Sequence, residues 1–255
     1  MKARLDKILA DSGLGTRSSV RDLIKSGTVK VNGISEKDPG KKVDTDMDEI
    51  IVRGELIDFR DKVYYMLNKP AGVITATEDK KQTTVIDLIK DKKRRDLFPV
   101  GRLDKDTVGL LLITNDGDLA HRLLAPGKHV KKTYLVRVDG IITDEIKSGI
   151  EKGVDIGDEK LTAPAELREI KLLEDADVTA AGKQAADGAS EAEITITEGR
   201  YHEIKRMFEA FGLNVIYLKR LSMGGLKLDP DLQEGQWKIL SEEEIVLLSK
   251  ESSEA

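Results

Sequence analysis

Cysteine is absent from this 255-residue chain, which removes disulfides, thiolate catalysis and cysteine zinc sites together. Nor does any apolar run approach the roughly 20 residues that a membrane-spanning helix needs. The opening stretch, MKARLDKILADSG, is amphipathic and carries acidic side chains, unlike a signal or transit peptide. The three histidines, His121, His129 and His202, show no i, i+4 spacing suited to zinc. No redox centre or nucleotide-binding motif stands out either, so no cofactor is expected. What is present is 39% hydrophobic and 35% charged, the balance of a soluble globular protein with a heavily ionised surface. The expectation is a cytoplasmic chain, long enough for one large domain plus a small one.

The net charge of −5 argues against a nucleic-acid partner until its distribution is considered. Residues 1–42 hold ten Lys/Arg against five Asp/Glu, and residues 62–138 hold sixteen against nine. Acidity is concentrated in residues 139–198, with six against sixteen, and in 222–255, with three against eight. A phosphate responds to the potential within about 8–10 Å rather than to the sum. RNA therefore remains a possible partner.

The first sixty residues read as a unit. Residues 3–11 form a helix with Leu5, Ile8 and Leu9 on one face. Thr16 is placed to cap a second helix carrying Val20, Leu23 and Ile24, which Ser26-Gly27 stops. Residues 28–31 and 50–52 read as strands, and Asn32-Gly33 is a hairpin turn. Basic Arg4, Lys7, Arg17, Arg21, Lys25 and Lys30 recur on the polar side, where each taken singly is solvated surface. A polar joint at 59–62 follows. From residue 63 to 250, strands are predicted at 63–68, 97–100, 110–114, 133–138, 165–172, 192–197, 215–218 and 237–240. Helices are predicted at 84–90, 118–124, 143–152, 201–211 and 242–248. Strands and helices interspersed without strict alternation indicate an α+β domain with a mostly antiparallel sheet. Residues 175–190 read as a flexible surface loop and 251–255 as a disordered tail.

Four segments carry candidate chemistry. In GRLDKDTVGLLLITNDG (residues 101–117) a charged loop runs into a buried strand, so the scaffold fixes a carboxylate that the loop exposes. Asp106 there reads as a turn residue, Asp116 as turn chemistry and Asp118 as a helix N-cap. Asp104 has no such local explanation and sits between cationic Arg102 and Lys105. In LNKPAG (67–72), Pro70 and Gly72 mark a strand end, a weak signal alone. In KKTYLV (131–136), Tyr134 is by itself a plain strand aromatic. In EGRYHEIKRMF (198–208), Ile204, Met207, Phe208 and the following Phe211 form a buried stripe that leaves the basic residues on the surface. His202 is equally a structural histidine or a functional one.

Together and in this order, the four segments resemble the signatures of the pseudouridine synthases, and residues 2–33 closely resemble the S4 RNA-binding domain (34–58 loosely). The resemblance implies an S4 domain at 1–58 and a larger catalytic domain at 63–250, its mixed, mostly antiparallel sheet flanked by helices. It implies isomerisation of uridine: the C1′–N1 bond breaks, the uracil turns, and C5 rejoins the sugar. Cleavage develops positive charge on the sugar, which an anionic carboxylate stabilises or captures. By resemblance Asp104 is the nucleophile, and Lys205 is its ionic partner. Tyr134 stacks on the base and takes the C5 proton, and Arg102 fills the space of the flipped nucleotide. Residues implied to contact RNA are Arg4, Lys7, Thr16, Arg17, Ser18, Arg21, Lys25, Lys69, Arg200, His202 and Arg206.

An S4 domain fused to this catalytic domain resembles the branch that modifies bacterial ribosomal RNA. The fourth segment, with LKRLSMGGLKLDPDL, looks like the small-subunit group. That implies one 16S rRNA uridine, at rRNA position 516, as target for a monomer acting on free rRNA or an assembling subunit. Glu203 departs from that group, which commonly has glutamine there, as does the acidic 139–198 region. The alternatives are a large-subunit (23S) synthase, a non-catalytic S4 assembly factor, and a carbohydrate hydrolase using Asp104, for which no second carboxylate stands out.

Overall fold

The computed structural model describes residues 2–45, 47–57, 62–90, 96–173 and 188–250. The chain divides into two compact units, Met1–Val63 with Ile89–Phe98, and Tyr64–Leu88 with Pro99–Ala255. Of the sequence expectations, most of the 59–62 joint, most of the 175–190 loop and the 251–255 tail lie outside the described residues.

In the first unit, helices α1 (Leu5–Asp11) and α2 (Arg17–Lys25) pack beside short strands. The Thr16 hydroxyl accepts the Ser19 amide and caps α2, as its position before the apolar-periodic run predicts. Leu5, Ile8, Leu9, Val20 and Ile24 form the core with Val29, Val31, Val43, Ile50 and Val52. Strands β2 (Val29–Val31), β3 (Ile34–Glu36), β5 (Ile50–Val52) and β6 (Glu55–Leu56) make one sheet in the order β3-β2-β5-β6. The Asn32-Gly33 turn, both residues at positive φ, joins β2 to β3. One expectation is corrected. The predicted helix starts at Leu5 rather than residue 3, because β1 (Lys2–Arg4) pairs instead with β4 (Lys42–Asp44).

The second unit is built on one large sheet. Its strands are β7 (Tyr64–Lys69), β9 (Val108–Thr114), β10 (Lys132–Val138), β11 (Glu166–Leu173), β12 (Ala189–Ile196), β13 (Val215–Met223), β14 (Leu226–Lys227) and β15 (Trp237–Ile239). A two-residue extended segment, β8 (Phe98–Pro99), precedes β9. The main path runs β11-β12-β10-β13-β9-β7-β15, with β14 beside β13. All the pairings along it are antiparallel except β13 with β9, so the sheet is mixed and mostly antiparallel. Helices α3 (Gly117–Leu124), α4 (Asp144–Lys152), α5 (Glu203–Glu209) and α6 (Glu242–Lys250) complete it. No described helix is long and apolar enough to cross a membrane.

Strand β9 is buried at all seven positions, which is why it reads as a continuous apolar run rather than an alternating one. Strand β10 alternates, burying Tyr134, Val136 and Val138. Two further expectations are corrected. Asp116, not Asp118, caps α3, its carboxylate accepting the Asp118 and Leu119 amides. Residues 84–90 form turns rather than a helix. The Val85 amide is drawn to the Ile74 carbonyl, and Thr84 and Asp87 close a local loop of side-chain bonds.

Gly109 makes the parallel junction possible. It has φ +98°, and its backbone faces Arg220 across the β9–β13 pair. A Cβ there would stand 2.3 Å from the Arg220 carbonyl oxygen and 2.8 Å from its nitrogen. Gly109→Ala is therefore expected to cost at least about 2 kcal/mol in stability, read from chemical denaturation. A loss within experimental error would show that the junction yields without strain.

Candidate active site

Asp104 lies in the loop that enters β9, and the Thr107 amide donates to its carbonyl oxygen. Its side chain is 32% exposed, so solvent reaches it. Lys205, in the first turn of α5, sets its Nζ 3.1 Å from Asp104 Oδ2 and 2.6 Å from Asp106 Oδ1. His202 Nε2 stands 3.5 Å from Asp104 Oδ1. Burial works against charge on Lys205, but its hydrogen bonds to Asp106 and Asp104 outweigh that and raise its pKa above the ordinary value. Burial likewise opposes charge on Asp106, and the Lys205 ammonium reverses the sign and holds its carboxyl below the ordinary range. The pairing of position 104 with Lys205 is the one the sequence resemblance implies. Asp106 was read as a turn residue, and its share of Lys205 was missed.

Asp104, Arg102, Tyr134, His202, Glu203 and Lys205 line a common cavity of about 80 Å³. A wider cleft of about 800 Å³ shares Arg102, Asp104 and His202 with it. Tyr134 is 6% exposed, held in β10 between β12 and β13, while Arg102 is exposed on the loop. His202 has φ +50°, an uncommon conformation for a residue other than glycine. Its ring stacks on Tyr201 at 3.8 Å, and Tyr201 is 75% exposed.

Lys69 requires a correction. Placed among RNA-contacting residues by resemblance, it is fully buried. Its Nζ lies against the carbonyl oxygens of Pro70 (3.1 Å), Asp104 (3.0 Å), Lys105 (3.3 Å) and Thr107 (2.8 Å). The ammonium thus ties the end of β7 to the backbone of the aspartate loop. Burial pulls its pKa down to about 8, opposed by the charges of Asp106 and Asp104. Two more bonds secure the loop: the Gly72 amide donates to Lys105 O, and the Thr75 hydroxyl donates to Leu103 O. The LNKPAG segment therefore serves as the anchor of the loop, which a weak turn signal did not disclose.

Arg200 and Arg206 were expected to face RNA. In the fold both are tied to Asp158, whose part no sequence signal indicated. Arg206 Nη2 meets Asp158 Oδ1 at 2.6 Å and also bonds the Ile156 carbonyl. Arg200 lies 3.4 Å from Asp158, donates to Glu198, and bonds the carbonyls of Lys160 and Leu161. In the first unit, Lys7, Thr16, Arg17, Ser18 and Lys25 are exposed. Arg4 and Arg21 are half exposed but share buried Asp6, at 2.9 and 3.0 Å, and hold its carboxyl far below the usual range.

Glu203 is 4% exposed, with Oε2 accepting the Arg200 amide and Oε1 buried without a partner. Burial, joined by the nearby charge of Glu198, pushes its pKa up to about 7. Burial also opposes charge on Glu198, yet the Ala163 amide and Arg200 hold that carboxyl below its ordinary range. The turn bearing His202 thus rests on an acidic pair in which Glu203 is the member that takes up the proton.

Residues 63–210 match the family model described as RNA pseudouridylate synthase, and residues 3–50 match the S4 domain. The chain is 48% identical to the uncharacterised RNA pseudouridine synthase YtzG of Bacillus subtilis, over 97% of its own length and 98% of that protein's. It is 40% identical to ribosomal large subunit pseudouridine synthase B of Bacillus subtilis, over 88% of this chain and 87% of that one. With ribosomal small subunit pseudouridine synthase A of Escherichia coli the identity is 35%, over 95% and 98% respectively. A crystal structure of a pseudouridylate synthase superposes with a TM-score of 0.64 at 34% identity, covering 96% of this chain and 99% of that one.

Two outcomes are expected from this geometry. Lys69→Met keeps the length of the side chain but takes the ammonium away from four carbonyls, of which those of Asp104 and Lys105 keep a backbone amide donor. It should destabilise the protein by about 1–3 kcal/mol in denaturant titrations, and unchanged stability would remove the anchoring role. Glu203 binds its proton more tightly folded than unfolded, so its contribution to stability is fully present below pH 4.5 and is lost as pH rises through about 7. The Tm of Glu203→Gln relative to wild type should therefore climb between those pH values in calorimetric scans. Parallel curves would refute the assignment.

Proposed function

The chain belongs to the RNA pseudouridylate synthase family and carries an S4 domain ahead of its catalytic unit, and from that premise we propose that it converts a ribosomal RNA uridine to pseudouridine, with 16S rRNA as the target. The observation that carries the proposal is Asp104, half open to a cleft, on the Lys205 ammonium and in one cavity with Tyr134.

The target nucleotide leaves its stack to reach the cleft, and Arg102, exposed on the loop beside Asp104, occupies the vacated space. As the C1′–N1 bond breaks, the Asp104 carboxylate supplies negative charge where the sugar becomes electron-poor and acts as the nucleophile. Lys205, 3.1 Å from Asp104 Oδ2, holds that carboxylate oriented. The ring of Tyr134 packs on the released uracil, which turns so that C5 bonds C1′ and displaces the Asp104 carboxylate. C5 then loses its proton on the side of the Tyr134 hydroxyl while N1 gains one, so the base ends neutral and the product is an isomer of the substrate. Exposed Lys7, Arg17 and Lys25 on the first unit supply phosphate affinity that carries no sequence information by itself. One copy of the chain brings these catalytic groups together, which fits a monomer, and the substrate class fits a cytoplasmic enzyme.

The 16S target rests on the EGRYHEIKRMF segment, similar to the small-subunit group, and on relatives named ribosomal small subunit pseudouridine synthase A at 34–37% identity. A second reading, a 23S uridine, is favoured by the 40% identity to a large-subunit synthase. Incubating the protein with unmodified 16S and 23S transcripts, then mapping pseudouridine by carbodiimide-stop primer extension, decides between them. Asp104→Asn is expected to lower the rate by at least about 10³-fold, while RNA affinity stays within a few-fold. Substantial residual turnover would reject Asp104 as nucleophile, and no product from the wild type on either transcript would favour a non-catalytic S4 factor.

A further inference from the structure

We propose that a second cavity, lined by Arg102, Lys132, Arg200 and Arg220, is an anion site that holds a backbone phosphate of the RNA next to the nucleotide being isomerised; this rests on the function proposed above. The cavity measures about 290 Å³ and shares Arg102, Tyr134, Gly199 and Arg200 with the one that contains Asp104. An occupant of one is therefore an immediate neighbour of an occupant of the other.

The lining is cationic beyond what the fold neutralises. Glu198 is the single acidic residue among the lining residues, and it bonds Arg200 and the Ala163 amide. Arg102, Lys132 and Arg220 have no ion-pair partner among the described residues. Arg220 is 2% exposed, with Nε donating to the Leu110 carbonyl at 2.7 Å and Nη2 buried without a partner. Lys132 gives one hydrogen bond, to the Val130 carbonyl at 3.0 Å. Burial and then the charge of Arg220 depress the Lys132 pKa, with Glu203 acting in the opposite sense.

Two like charges kept close in a poorly solvated place cost free energy that an anion between them returns. Leu123, Leu124 and Val130, which line the same space, offer the cations no side-chain acceptor. The cationic side chains there can only donate, which suits phosphate oxygens better than a nucleobase edge. A phosphodiester is the anion that the proposed substrate presents one bond away from the reacting sugar, and inorganic phosphate shares its chemistry.

The test titrates full-length protein with unmodified 16S and 23S transcripts by filter binding, from about 0.05 to 0.2 M KCl. Lys132→Gln is expected to weaken binding several-fold and to reduce the slope of log affinity against log salt by about one, and Lys132→Arg to retain the slope. Without RNA, inorganic phosphate should raise the wild-type Tm by roughly 2–4 °C over chloride at equal ionic strength, and Lys132→Gln should abolish the increment. A phosphate increment with an unchanged RNA slope would assign the cavity to a free anion and overturn the RNA contact. Absence of both effects would overturn the site altogether. Pseudouridine is scored on the same transcripts: product with an unchanged slope rejects the cavity alone. No product from the wild type rejects the function, and the phosphate increment then decides the cavity.

Discussion

The ammonium of Lys205 stands between the carboxylates of Asp104 and Asp106, and the active geometry depends on that arrangement. Two carboxylates close together on one loop repel each other, and a cation between them turns repulsion into a fixed orientation. Lys205 comes from α5 and the carboxylates from the entry to β9, so the contact also couples two distant stretches of chain. Burial disfavours charge on Lys205 and Asp106 alike, and their mutual attraction overcomes it on both sides. The same cation that supports the site therefore also holds α5 against the loop.

Behind this pair the protein is strict where backbones meet and permissive where water enters. Gly109 permits the close approach of β9 to β13, next to the residue that lines both the cationic cavity and the sheet. The polar groups that the fold buries here, Lys69, Arg220 and Glu203, each hydrogen-bond the backbone, while Arg220 Nη2 and Glu203 Oε1 stay buried without a partner. Uneven charge along the chain allows such an arrangement within an acidic total. The basic stretches supply the first unit and the loop bearing Asp104, while acidic Asp158 and Glu198 restrain arginines beside the cleft.

What was legible in the sequence was mostly local. Thr16 capping α2, the Asn32-Gly33 hairpin and the apolar run of β9 are decided by a few neighbouring residues, and the structure places them as read. The family resemblance located Asp104, Tyr134 and Lys205, and the fold brings all three to one cavity. What escaped was set by partners far along the chain. Lys2–Arg4 carries a helical pattern yet pairs with Lys42–Asp44, and Val85 is claimed by Ile74 before a helix can form. Lys69 has the look of a surface lysine because three of its four acceptors are main-chain carbonyls 35 to 38 residues later, where side-chain patterns carry no trace of them. Asp158 restrains Arg200 and Arg206 across 42 and 48 residues, a relation that no spacing rule expresses.

Lys69 grips carbonyl oxygens, which every amino acid possesses. The shape of the loop from Asp104 to Thr107 is therefore uncoupled from the side chains it displays. Residues such as Lys105, whose ammonium reaches Gln82 at 2.8 Å, can be exchanged without disturbing the carboxylate's seat. A scaffold of that kind lets the exposed side chains of the loop diverge while its backbone is inherited intact.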